Sequence, residues 1–142
     1  MKKLVTCGEM KNLDSATIHK IGVASEVLME RAALKVVEET EKYLGKNERI
    51  LVVCGSGNNG GDGIAVARIF HLKGIRADFY MAGNKEKMTR ETTLQYKIAT
   101  GYHVPEVNNP DWSEYTTIVD AVFGVGLARP IEGRYAEIIR EM

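Results

Sequence analysis

Ile50-Leu51-Val52-Val53-Cys54-Gly55-Ser56-Gly57-Asn58-Asn59-Gly60-Gly61-Asp62-Gly63 is the stretch that decides the fold. Four apolar, mostly β-branched residues run into a loop in which five of nine residues are glycine. An apolar helical pattern follows from Ile64 to Leu72. Strand, glycine loop and helix in this order bring a backbone close to a ligand at the end of a buried strand. Glycine has no Cβ to block that approach and tolerates positive φ. The helix that follows points its unbonded N–H groups at the same place.

Downstream, Gly74 stops the helix and Arg76–Met81 reads as a second strand. Gly83-Asn84 turns the chain, and Thr89 to Thr100 predicts a helix with Leu94, Tyr96 or Lys97, and Ile98 inward. Val104 is placed on a short third strand, and Asn108–Asp111 is a turn cluster. Tyr115–Val119 reads as a strand ending at Asp120, followed by a second glycine loop, Phe123-Gly124-Val125-Gly126-Leu127. Glu132 to Met142 predicts a helix with Tyr135, Ile138 and Ile139 inward.

Upstream, residues 1–8 read as irregular. Met10 to Lys20 has helical spacing, with Thr6 or Gly8 as its start and Glu9 near its positive end. A second helix runs from an N-cap at Ser25 to about Leu44. It carries Val27, Leu28, Ala32, Ala33 or Leu34, Val36 and Val37 on one broad face. Gly45 suits its left-handed C-terminal position. Alternating strands and helices argue for an α/β fold, a mostly parallel sheet with helices on both faces, preceded by two N-terminal helices. No linker divides residues 1–142, so one domain is expected.

Ligands of open parallel sheets bind beyond the C-terminal strand ends. Gly55–Gly63 and Asp120–Gly133 are the two glycine-rich loops at that edge, and they share a crevice if their strands are neighbours. Gly55–Gly60 matches the dinucleotide pattern G-x-G-x-x-G. The acid that a redox NAD site wants at the end of the second strand is lacking, since Asp78 falls early in it. Asp62 is also ill-suited to face a phosphate, because a close like-charge pair is unfavourable by a few kcal/mol, on the order of 1–4. It suits a sugar hydroxyl or a cation better. The amide oxygens of Asn58 and Asn59 and the carboxylate of Asp120 suit a hard, monovalent cation. Arg129 is in reach of a ligand phosphate. Plainer roles compete: Asp62 as a helix cap, Asn58 and Asn59 as turn residues, Asp120 as a turn cap and Arg129 as a solvated side chain.

The totals narrow the class. The chain has 142 residues, 44% of them hydrophobic and 27% charged, which fits one globular domain. Lys plus Arg and Asp plus Glu number 19 each, so net charge argues for neither nucleic acid nor an anionic membrane. Cys54 sits in an apolar run as a buried thiol, and Cys7 completes no disulfide framework. The basic start, Met1 to Cys7, lacks the apolar core of a signal peptide. A reducing, cytoplasmic setting is expected. His19, His71 and His103 have no metal-ligand spacing.

Val53–Gly63, with Ala67-Arg68 in the next helix, resembles the signature of the NAD(P)H-hydrate epimerase family, the YjeF N-terminal domain. Met10-Lys11 with Leu13-Asp14, Leu28–Ala32, and Asp120–Leu127 resemble further family segments. The resemblance implies a Rossmann-like three-layer αβα sandwich. It implies epimerisation of R and S NADHX and NADPHX, nicotinamide cofactors hydrated at C6, in cofactor repair. It further implies potassium as cofactor, held by Asn59 and Asp120. Asn58, Asn59, Gly60, Gly61 and Asp62, with Gly124, Val125, Gly126, Leu127, Ala128, Arg129 and Pro130, would hold the substrate. Asp62 and Asp120 are the candidate catalytic carboxylates. A homodimer is implied, as is a fused or separate ADP- or ATP-dependent dehydratase as companion. Family domains continue through further strands and helices, with another Asp at the substrate and a Ser or Thr on potassium. Residues 1–142 match neither, so a C-terminally incomplete domain is expected. The competing readings are a non-catalytic nucleotide-binding or protein-interaction module and a redox Rossmann enzyme.

Overall fold

A computed structural model describes residues 4–142. Three parallel strands, β1 (Arg49–Cys54), β2 (Arg76–Met81) and β3 (Thr117–Ala121), form a sheet in the order β2-β1-β3. Val53 aligns with Tyr80 on one side and Asp120 on the other. β1 is central, and Ile50 to Cys54 are all fully buried. Burial on both faces requires the continuous apolar run that marks it in the sequence.

The alternation of side chains along β1 divides the core in two. Ile50, Val52 and Cys54 pack with α2 (Ser25–Glu41), α3 (Asn58–Leu72) and α4 (Arg90–Gly101). Leu51 and Val53 pack with Tyr80, Val122 and Ile138 of α5 (Gly133–Glu141) on the opposite face. These are the three expected layers. α3 lies between sheet, α2 and α4, and every residue from Gly63 to Phe70 is buried. Arg68 is buried with them, paired with Glu30 of α2.

Several local expectations are corrected. α3 begins at Asn58, not after Gly63, so the second half of the glycine stretch is helix. β3 extends through Ala121, and Tyr115 precedes it. Val104 is on no strand; a single bridge, Phe79 to Glu106, stands in its place beside β2. Ser25 is the first residue of α2 rather than its cap, because its hydroxyl donates to Glu91 of α4 at 2.9 Å. α2 ends at Glu41, and the left-handed residue after it is Asn47, φ 64°, rather than Gly45.

Helix faces differ too. α2 buries only Met29, Ala33 and Val37, leaving Val27, Leu34 and Val36 exposed. α4 turns Thr92, Gln95 and Ala99 inward, with Tyr96 half-buried and Leu94 outside. On α5, Ile138 is buried and Ile139 exposed.

α1 (Cys7–Ala16) is capped by Thr6, one of the two expected starts. The Thr6 hydroxyl accepts from the Glu9 N–H while Glu9 accepts from the Thr6 N–H, a reciprocal capping box. A π-helical turn, Thr17–Ile21, links α1 to Gly22, whose φ is 87°. Residues 1–3, part of the start expected to be irregular and to lack a signal peptide, lie outside the described residues. Among the described residues no helix is long and apolar enough to cross a membrane.

Candidate functional site

β1 and β3 are neighbours, so the loops that leave them face each other. Between them lies a cleft of about 890 Å³. One wall is Ser56 to Asn59 with Asp62; the opposite wall is Val122 to Arg129. Lys11 and Asp14 of α1, and Tyr135 of α5, complete it. A smaller cavity of about 210 Å³ adjoins it, sharing Phe123, Leu127, Arg129 and Tyr135 and adding Pro130.

The glycines serve packing more than conformational freedom. A Cβ on Gly63 would lie 2.4 Å from the Ala121 Cβ and 3.0 Å from the Cys54 sulfur. A Cβ on Gly60 would lie 1.9 Å from the Gly55 carbonyl oxygen. The first turns of α3 therefore sit directly on the sheet edge, and only glycine fits. Gly57 is the exception: nothing lies within 4 Å of its Cβ position, and it faces the cleft.

The start of α3 is fixed from two sides. The buried Thr92 hydroxyl donates to the Gly57 carbonyl at 2.8 Å. The Asn59 side-chain N–H donates to the Phe123 carbonyl at 3.0 Å. The first helical bond runs from the Gly60 N–H to the Gly57 carbonyl, so the N–H groups of Asn58 and Asn59 have no partner within the helix. They are ready donors for an anion at the cleft floor.

Asp62 lies one turn into α3, half-buried and lining the cleft. It is not the helix cap; that is Gly57. Burial, then the nearby charge of Asp14, pushes its carboxyl up to about 6. It carries acid and base forms together near neutrality.

Asp120 has a different setting. It is exposed at the end of β3, and its Oδ1 accepts from the Val122 N–H at 3.0 Å. That is the turn-capping role, and Asp120 does not line the cleft. Its other oxygen and Asn59 Oδ1 accept no hydrogen bond among the described residues. An amide oxygen and a carboxylate oxygen left free are a donor set that suits a hard monovalent cation. Among the described residues no group of three or more His, Cys, Asp or Glu could hold a metal.

Of the substrate-holding residues expected, the structure brings Asn58, Asn59, Asp62 and Gly124 to Arg129 into one cleft. Gly60 and Gly61 are buried beneath it, and Pro130 belongs to the adjoining cavity. Lys11, Asp14, Ser56 and Tyr135 line the cleft without having been singled out as site residues. The sequence signals that touch Lys11 and Asp14 are their three-residue spacing on one helix face and the family resemblance of Met10-Lys11 with Leu13-Asp14. Asp78 is elsewhere, buried in an ion pair with Arg49 at 3.2 Å and accepting from the Tyr115 hydroxyl at 2.8 Å. Both contacts fall on Oδ2, and Asp78 pairs in register with Leu51, well short of the strand ends where a ribose would lie.

Comparison with known proteins follows the same lines. The family described as YjeF-related protein N-terminus matches residues 25–142. A protein of Oenococcus oeni named NAD(P)H-hydrate epimerase is 50% identical over 137 residues, covering 95% of this chain and 65% of its own length. Proteins of the same name from Limosilactobacillus reuteri (strain ATCC 55730 / SD2112) and Weissella koreensis are 45% and 41% identical, over 96% and 100% of this chain and 66% and 65% of their own. The chain thus spans about two thirds of the length of these relatives. The crystal structure of yeast ynu0, YNL200c, superposes with a TM-score of 0.83 at 25% identity, over 99% of this chain and 64% of that one.

Proposed function

The chain belongs to the YjeF-related protein N-terminus family, and from that premise we propose that it epimerises R and S NADHX and NADPHX. The observation that carries the reading is the cleft between α3 and the loop after β3. It has amide N–H groups at one end, a half-buried carboxyl with a raised pKa in one wall, and Arg129 in the other. Relatives of 41–50% identity bear the name NAD(P)H-hydrate epimerase.

Epimerisation at C6 needs the hydroxyl to leave and return on the opposite face. Asp62 in its acid form gives its proton to the departing hydroxyl, which leaves as water and creates an iminium-like ring. Water then adds to the other face, and its proton returns to the Asp62 carboxylate. A carboxyl near 6 serves both directions at neutral pH. Asp120, outside the cleft and bonded to the Val122 N–H, is less suited to this proton transfer and better suited to a cation.

Asn59 Oδ1 and Asp120 would hold potassium, whose positive charge would offset the negative charge of the ligand's diphosphate. The Asn58 and Asn59 N–H groups and Arg129 would hold the diphosphate itself. The apolar residues Val27, Leu34 and Val36 on α2, and Met10 and Leu13 on α1, are exposed and support a homodimer through the N-terminal helices. A dehydratase acting on the S form, fused or separate, is the companion activity, and a cytoplasmic setting suits the free thiols of Cys7 and Cys54.

The test follows R and S NADPHX interconversion by chromatography, with and without potassium chloride. Wild type should exceed the uncatalysed rate, Asp62→Asn should lose about 10²-fold or more in kcat, and Asp120→Ala should lose the potassium response. Wild-type activity and ion response in both variants would sink the assignment.

A further inference from the structure

α1 is out of place as a packing element. It buries none of its residues, yet two of them, Lys11 and Asp14, line the cleft. Lys11 reaches across to the second glycine loop: its Nζ lies 3.9 Å from the Cβ position of Gly126. Among the described residues neither Lys11 nor Arg129 has an ion-pair partner within 4 Å. Asp14 is three residues away on the same helix and still makes no such pair with Lys11. Two unpaired cations therefore border the exposed backbone of Gly124 to Gly126, one from α1 and one from the loop itself.

We propose that Lys11 is a substrate-binding residue that holds a phosphate group of the dinucleotide against the Gly124–Arg129 loop. The inference rests on the dinucleotide reading of the cleft but not on the epimerisation. The glycine loop presents backbone without side-chain bulk, Arg129 supplies a planar fork, and Lys11 supplies a compact charge from the other side. α1 would then be the wall that closes on the ligand, which accounts for an amphipathic helix with no buried residue beside a polar cleft. The anion is either the diphosphate, common to both substrates, or the 2′-phosphate that distinguishes NADPHX.

Two probes separate those sources: ADP-ribose, which carries only the diphosphate, and 2′-phospho-ADP-ribose. Titration calorimetry of wild type, Lys11→Gln and Lys11→Arg with each probe is the test, with Lys20→Gln, exposed on the π-turn away from the cleft, as control. Lys11→Gln should weaken binding about tenfold and flatten its salt dependence. Lys11→Arg should restore most of the affinity, and Lys20→Gln should match wild type. Equal losses on both probes assign the diphosphate; a loss confined to the second assigns the 2′-phosphate. In turnover, Lys11→Gln should raise KM and leave kcat unchanged.

Wild-type affinity in Lys11→Gln, or an absence of binding by wild type, overturns the proposal. Lys11-dependent binding without any epimerisation would sustain this inference and defeat the proposed activity. Epimerisation with an unaltered KM in Lys11→Gln would do the reverse.

Discussion

The Asn59 side-chain amide donates to the Phe123 carbonyl oxygen at 3.0 Å, joining the first turn of α3 to the loop after β3 across 64 residues of sequence. This hydrogen bond ties the cleft's two walls to each other. Removing it should be felt more in the walls than in the fold. Asn59→Ala is expected to cost about 1 kcal/mol in urea unfolding. Hydrogen exchange at Phe123 to Leu127 should accelerate well before that at β1 does. Unchanged protection in that loop would show that the bond does not hold it.

Gly63 gives a sharper steric prediction. Its Cβ position is 2.4 Å from the Ala121 Cβ, 3.0 Å from the Cys54 sulfur and 3.2 Å from Val52 Cγ1. None of these is the far end of a flexible chain. Gly63→Ala should destabilise by about 1–3 kcal/mol or more. Gly57→Ala meets nothing within 4 Å and should cost less than about 1 kcal/mol, the scale of a helix-cap change. Thermal unfolding of the two variants side by side checks the ranking; equal losses would contradict the packing role of Gly63.

Asp62 couples stability to pH. Its folded carboxyl titrates at about 6, above the ordinary 3.8. The native state therefore binds this proton more tightly than the unfolded chain does. Stability falls as pH rises through that window, because the charge must then be held half-buried near Asp14. Asp62→Asn removes the penalty. Its stability relative to wild type should improve between about pH 4 and about pH 7, by about 1 kcal/mol or less once solvent screening is allowed for. Denaturation midpoints across that range test it, and a difference independent of pH would refute the coupling.

The sheet was legible because β1 is buried on both faces and has to be apolar at every position from Ile50 to Cys54. The two loops were legible as partners only on the condition that their strands are neighbours, and the strand order β2-β1-β3 meets that condition. What the glycines do was not legible. Gly60 and Gly63 look the same in sequence whether a ligand or the protein's own backbone and sheet approach them; here Gly60 meets the Gly55 backbone and Gly63 meets the sheet. The inward face of α4 was misjudged because Thr92 is polar; it is buried for the sake of the Gly57 carbonyl. Ser25 looked like a cap because its hydroxyl suits one, and it serves Glu91 instead. Lys11 and Asp14 reach the site only through the way α1 is laid over it, and no spacing within the chain encodes that placement.

The attachment of α1 has an energetic consequence. The helix buries no residue of its own and hangs from a π-turn ending in left-handed Gly22. The α3 wall is anchored in the core, so the two sides of the cleft differ widely in local opening free energy. A ligand that needs both sides binds only the fraction of molecules in which α1 is docked, and its apparent affinity falls by that fraction. Gly22, which does not line the cleft, thereby becomes a dial on affinity: a residue that cannot hold its left-handed φ of 87° loosens the turn and weakens binding.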